Sequence, residues 1–174
     1  LQTIVFTIII DLKLNKEAIT VLNSIDSKII ACLMAQARTT WVELGSLLGL
    51  SAPAAADRVR RLEEKGVIKG YYAAVDPDSV GIGMAALISV SLSTATARND
   101  FLACVQALPE VLECHHVAGE EDYVLKIRCR GTRELEHLIS HTLKSVTGVS
   151  RTRTTVILST IKETPILPLA LDEA

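Results

Sequence analysis

A chain of 174 residues, 49% hydrophobic and 22% charged, is too apolar to stay disordered and long enough for one domain or two small ones. Its 18 Lys+Arg and 20 Asp+Glu leave a net charge of −2. The strongly basic balance that usually marks a nucleic-acid binder is absent from this average.

Residues 1–21 form an N-terminal extension whose first ten, Leu1 to Ile10, include seven that are aliphatic or Phe. That run is shorter than the about 20 apolar residues a membrane span needs. It also lacks the basic region and cleavage site of a signal peptide. Such a β-prone segment is expected to pair with another strand or pack in an interface. The four cysteines, Cys32, Cys104, Cys114 and Cys129, are spaced without a CxxC pair, so they read as reduced, buried thiols of a cytoplasmic protein.

Residues 22–76 begin as helices. Ser24 and Asp26 offer capping oxygens, and Ile25, Ile29, Ile30, Leu33 and Met34 recur at helical spacing to about Ala37. Thr40 can cap a second, short helix with Trp41, Leu44, Leu47 and Leu48 on one side, closed by Gly49 in a left-handed conformation. Ser51 can cap a third, with Pro53 in its first turn and Ala55, Val59 and Leu62 inward. Two short helices joined by a tight turn predict a helix-turn-helix that projects the third helix outward. An ordinary three-helix bundle would share that pattern. The third helix carries Arg58, Arg60, Arg61 and Lys65 against Asp57, Glu63 and Glu64. Arg58 and Arg61, three apart, are expected on one face. Val67 to Val75 reads as a small hairpin, or wing, with Lys69 near its tip as a phosphate contact or a solvated turn lysine.

Residues 77–83 form a linker, and 84–160 alternate strand and helix. Strands are expected at Met84–Ser93, Val111–Ala118, Tyr123–Arg130 and Val149–Ser159. Helices are expected at Ala97–Leu108 and from Thr132 to about Leu143. The order β-α-β-β-α-β predicts a ferredoxin-like unit, making the chain α+β. Its open sheet face calls for a second subunit. The tail, 161–174, is expected to wrap on a neighbour or fray.

Several separated blocks together resemble the Lrp/AsnC (leucine-responsive, or feast/famine) family of transcription regulators, over roughly residues 22–162. They are Ile25-Asp26-Ser27-Lys28-Ile29, Gly49-Leu50-Ser51, Arg58 through Tyr71, Glu113 through Lys126, and Gly148-Val149 followed by Thr152-Arg153-Thr154. The resemblance implies a winged helix-turn-helix that binds double-stranded operator DNA. It also implies a ferredoxin-like domain, similar to amino-acid-binding ACT modules, that dimerises sheet to sheet and commonly assembles to octamers. An amino acid bound at the Gly-x-x-Asp-Tyr turn, here Gly119 to Tyr123, would adjust assembly and DNA affinity.

The third helix departs from a rich reader. Its first turns are Ala52-Pro53-Ala54-Ala55-Ala56, and alanine can touch a thymine methyl but reads no donor or acceptor. Base readout therefore falls on Ser51, Asp57, Arg58 and Arg61, with modest specificity and a large share from DNA shape. At the effector turn, Gly119 permits close backbone approach, Asp122 suits an ammonium, and Thr152 or Thr154 could offer hydroxyls. Glu120 and Glu121 make a cationic or polar ligand side chain conceivable. From the residues alone, Gly119-Glu120-Glu121-Asp122 reads first as a plain hairpin turn, and it is the resemblance that puts the effector site ahead.

Other chemistry has little support. Adjacent His115 and His116 in a strand point to opposite faces, and His137 and His141 have metal-compatible spacing without a nearby third ligand. No metal or cofactor is expected, and no catalytic motif marks an enzyme. Two alternatives remain: a sirohaem-decarboxylase-like enzyme using His115 or His116, and a regulatory module that binds an effector but not DNA.

The charge divides unevenly. Residues 22–76 hold seven Lys+Arg and six Asp+Glu, for +1, whereas 77–174 hold nine and twelve, for −3. A weakly basic reader on an acidic assembly domain should need its oligomer to hold DNA.

Overall fold

The structure is a computed structural model, and it describes residues 22–169. The apolar run expected to pair or pack, residues 1–10, lies outside the described residues. The described chain forms two compact units, one of residues 22–72 with 164–169 and one of Ala73–Glu163.

The first unit has three helices: α1 (Ser24–Ala35), α2 (Trp41–Leu48) and α3 (Ala52–Glu64). Asn23, one residue before the expected caps, starts α1 by accepting the Asp26 N–H at 2.8 Å. Thr40 closes a full capping box on α2. Its hydroxyl accepts the Glu43 N–H at 3.3 Å, and its own N–H donates to Glu43 Oε2 at 2.8 Å. Ile29, Leu33, Leu44, Ala55, Val59 and Leu62 form the core. Leu47, expected inward, is 68% exposed. The reason is Gly45, which turns its bare face toward the Leu50 carbonyl, so the buried side of α2 runs between Leu44 and Gly45.

The expected hairpin over 67–75 has no strand pairing. Gly66 takes φ 68, and the Val67 and Ile68 N–H groups both donate back to the Leu62 carbonyl, at 2.9 and 3.1 Å. Val67 and Ile68 thereby pack against the helical core. Tyr71 Oη donates to Glu63 Oε1 at 2.8 Å, tying the following segment to α3.

The second unit is an antiparallel sheet of β1 (Met84–Leu92), β2 (Val111–His116), β3 (Tyr123–Cys129) and β4 (Val149–Ile157), in the order β2-β3-β1-β4. Helix α4 (Arg98–Ala107), entered through a 3-10 turn at Ala95–Ala97, follows β1. Helix α5 (Thr132–His137) follows β3. The α-helical part of that second element is shorter than expected. It passes into a π-helical turn (Leu138–Thr142) and a 3-10 turn (Leu143–Ser145). Leu138 and Leu143 are five apart and both buried, and a π turn is the helical form that returns a five-residue spacing to one side.

The core lies between sheet and helices. Ala86, Ile88 and Val90 of β1 and Tyr123, Leu125, Ile127 and Cys129 of β3 meet Phe101, Val105, Leu135, Leu138 and Leu143. Strand pairing aligns Leu87, Lys126 and Thr155, and likewise Ser89, Val124 and Arg153, across the opposite face. There Glu163 from the segment after β4 pairs with Lys126, and with Arg128 at 3.2 Å. All four cysteines are free. Cys129 is buried and the others half-buried, and burial pushes the thiols of Cys104, Cys114 and Cys129 up.

Candidate nucleic-acid interface and effector pocket

Helix α3 projects because the turn before it is unusually close. The Leu50 N–H donates to the Gly45 carbonyl at 2.8 Å, and a Cβ on Gly45 would stand 2.7 Å from the Leu50 oxygen. Gly49 supplies the left-handed bend at φ 67, and Ser51 starts α3 by accepting the Ala54 N–H at 3.4 Å. Ala55, Val59 and Leu62 face the core, leaving Ser51, Ala54 and Arg61 exposed and Asp57 half-exposed.

The structure separates the two arginines that spacing placed on one face. Arg58 Nη1 reaches back to Asp26 Oδ1 of α1 at 2.8 Å, in a pair whose side chains are 32% and 20% exposed. Arg58 therefore clamps α3 to α1, and its guanidinium is engaged. Arg61 stays exposed, paired with Asp57 Oδ2 at 2.6 Å, while Arg60 takes Asp57 Oδ1 at 2.6 Å and Glu64 Oε1 at 3.3 Å. The Arg60 guanidinium holds the Asp57 carboxyl below the usual range. Asp57 thus restrains two cations on the outward face. Lys69 is exposed on the segment after α3, without an ion-pair partner among the described residues.

The candidate effector residues are divided as well. Asp122 closes the β2–β3 turn: its carbonyl accepts the Val117 N–H at 2.9 Å, and its N–H donates to the Val90 carbonyl at 3.0 Å. Its Oδ2 accepts the Leu92 N–H at 2.7 Å. That amide is free because the β1–β4 register shifts between Ser91 and Leu92. Asp122 also lines a cavity of about 290 Å³ with Tyr123, His116, Leu92, Ser93, Thr94, Ala95 and Arg98.

Tyr123 is buried, its ring 4.9 Å from Phe101 and 5.0 Å from His116, so it is first a core residue and only its edge meets the cavity. Thr152 and Thr154 do not join this cavity. They pair with Val90 and Ile88 on β4, and Thr152 lies two strands, about 10 Å, from Tyr123. Gly119 has open space around it and no left-handed φ, so nothing within the chain demands glycine there. Glu121, expected to favour a cationic ligand, is offset by Arg153 at 2.7 Å and Arg151 at 3.7 Å.

Both halves of the chain match family models. The AsnC-type helix-turn-helix domain matches residues 22–63 and the Lrp/AsnC ligand binding domain matches 85–167. The chain belongs to the Lrp/AsnC family of transcriptional regulators. It is 35% identical over 159 residues to the leucine-responsive regulatory protein of Haemophilus influenzae, covering 90% of this chain and 96% of that one. It is 39% identical over 139 residues to the regulator LrpA of Mycobacterium tuberculosis, covering 80% and 91%. Among solved structures, a Neisseria meningitidis transcriptional regulator in complex with L-methionine superposes with a TM-score of 0.80 at 36% identity, over 84% of this chain and 96% of that one. A feast or famine regulatory protein of M. tuberculosis complexed with L-methionine gives 0.78 at 37%, over 84% and 98%.

Membership makes this chain a transcriptional regulator with a helix-turn-helix DNA-binding domain, and the named relatives are regulators rather than enzymes. The decarboxylase alternative gains nothing from the histidines. His115 Nε2 sits 2.9 Å from Glu113 on one sheet face, while His116 stacks on Tyr123 on the other. His137 and His141 stack with ring centroids 5.2 Å apart. No group of three possible metal ligands occurs among the described residues, and no helix there is long and apolar enough to cross a membrane.

Sequence reasoning missed Gly45, the Asp26–Arg58 clamp and Arg98. Gly45 had a signal, a glycine inside an otherwise helical pattern. The other two had none, since Arg58 meets a residue 32 positions away and Arg98 lines a cavity with Asp122, 24 positions away.

Proposed function

We propose that this Lrp/AsnC regulator reads operator DNA with α3 and changes its assembly and operator affinity when an amino acid binds beside Asp122. Ser51, Asp57 and Arg61 offer the base-facing groups, and Lys69 offers a phosphate contact. Arg58 acts by holding α3 in place, and Arg60 joins Arg61 as a cation that DNA can draw from Asp57. The observation that carries the DNA reading is this outward face of α3, raised on the tight Gly45–Ser51 turn and unburied along Ser51, Ala54 and Arg61.

The alanine-rich first turns support modest sequence discrimination with a large part for DNA shape. The open sheet face supports a homodimer, and further association to an octamer would supply the several heads a weakly basic reader needs. The cavity beside Asp122, together with the L-methionine complexes of related regulators, supports an amino-acid effector.

The test is binding of the full chain to the DNA upstream of its own gene, measured across salt with and without a panel of amino acids. Affinity should fall steeply and log-linearly with salt, and at least one amino acid should shift both the affinity and the sedimented oligomer. Retention of a stable oligomer with no affinity for DNA would favour the module that binds an effector but not DNA.

A further inference from the structure

Helix α3 carries an anion on the face that would meet DNA. Pro53, Asp57, Arg60 and Glu64 follow one another at the steps of a single helix face, opposite the buried Ala55, Val59 and Leu62. Asp57 stands in the middle of α3, while Glu63 is held by the Tyr71 hydroxyl and Glu64 lies in the last turn. Ala52 to Ala56, just before it, carry no side-chain donor or acceptor for a base. Both Asp57 oxygens are in use: Oδ1 takes Arg60 Nη2 and Oδ2 takes Arg61 Nη2, each at 2.6 Å. The three side chains are 38%, 63% and 66% exposed, so these pairs exchange easily. A carboxylate on this face repels phosphate and weakens binding to DNA of any sequence unless a base offsets it.

When DNA draws Arg60 and Arg61 away, both Asp57 oxygens lose their donors together. The cost of that exchange depends on the base edge opposite. In the major groove guanine presents the N7 and O6 acceptors, thymine its O4, and adenine an N7 acceptor beside its N6 amino group. Cytosine alone shows an amino donor with no acceptor of its own. A cytosine N4–H would replace a lost arginine donor, whereas an acceptor would leave the carboxylate bare and repelled. We infer that Asp57 selects a cytosine in the operator and gives up Arg60 and Arg61 to the DNA most readily there, so that reading the base and releasing the cations are one exchange. Arg58, locked to Asp26, takes no part in it. The inference rests on the DNA reading above and deepens it by naming a base and the residue that discriminates it.

The test is selection of sites from a random-sequence duplex pool by the full-length wild type, Asp57→Asn, and an Arg60→Gln, Arg61→Gln double variant, followed by salt titration on the recovered site. The pairs are exposed, so all three proteins should melt alike. Wild type should recover a cytosine whose change to thymine costs about ten-fold or more at physiological salt. The same change should make log affinity less steep in log salt by about one. Asp57→Asn should lose the preference to within about three-fold and show one salt slope on both DNAs. The double variant should keep the preference and lose the difference in slope, which separates the base contact from the release of cations. If Asp57→Asn recovers the same cytosine at the same penalty, Asp57 as reader is overturned while the DNA reading stands. Equal wild-type slopes on the cytosine and thymine sites overturn the exchange. Wild-type binding to the pool without enrichment of any sequence overturns this inference alone. No binding to any duplex overturns the DNA reading itself, and this inference with it.

Discussion

Helix α3 and the cavity beside Asp122 treat their arginines in opposite ways. On α3 every arginine is engaged inside the protein: Arg58 by Asp26, Arg60 by Asp57 and Glu64, and Arg61 by Asp57. In the cavity beside Asp122, Arg98 lines the space with that carboxylate and forms no ion pair with it. A surface that must release and retake a long polyanion can keep its cations on exchangeable neighbours, because exposed pairs contribute little and yield readily.

Several substitutions would break or sharpen that contrast. The largest effect should come from Phe101→Ala, which empties the centre of the second core, under Tyr123 and the cavity. About 4 kcal/mol should be lost in denaturant unfolding of that unit, with effector binding lost as well. Gly45→Val acts on the first unit by driving a side chain into the Leu50 carbonyl. About 3 kcal/mol and DNA binding should be lost together. Asp26→Ala leaves the Arg58 guanidinium half-buried and unpaired, for about 1.5 kcal/mol, and an Asp26→Ala, Arg58→Ala cycle should return a positive coupling energy. A vanishing coupling would show that Arg58 is free for DNA after all.

Asp57→Asn should move the other way. It removes one anion, releases Arg61 and leaves Arg60 held by Glu64 alone, so DNA affinity at low salt should rise about three-fold, with the gain fading as salt screens it. Unchanged affinity would mean that Asp57 does not restrain the two cations.

The smallest effect is in alkaline pH. Burial and then the bond to Glu63 push the Tyr71 phenol up from its ordinary 10.0 to about 12. A folded-state value above the unfolded one adds stability that is complete below pH 10 and is lost as pH rises through about 12. Absorbance titration should show Tyr71 ionising late, and Glu63→Gln should bring it earlier. Tyr71→Phe should remove that part of the alkaline loss.

What the residues alone determined is local. Thr40, Ser51, Gly49 and Gly66 act on groups within a few positions, so the helix boundaries around the DNA-reading turn were legible, as was the order of strands and helices along the chain, while the family came from the resemblance of several separated motif blocks. Other features needed the folded chain. Arg58 found Asp26 at a separation of 32 residues, and Asp122 found Leu92 at 30. The wing-like segment turned back onto Leu62 and Glu63 instead of pairing with itself, and the helix after β3 took a π turn to bury both Leu138 and Leu143. Each of these depends on which distant surface a side chain or amide meets once the cores close. Capping and periodicity operate within one helical turn and so carry no information about it.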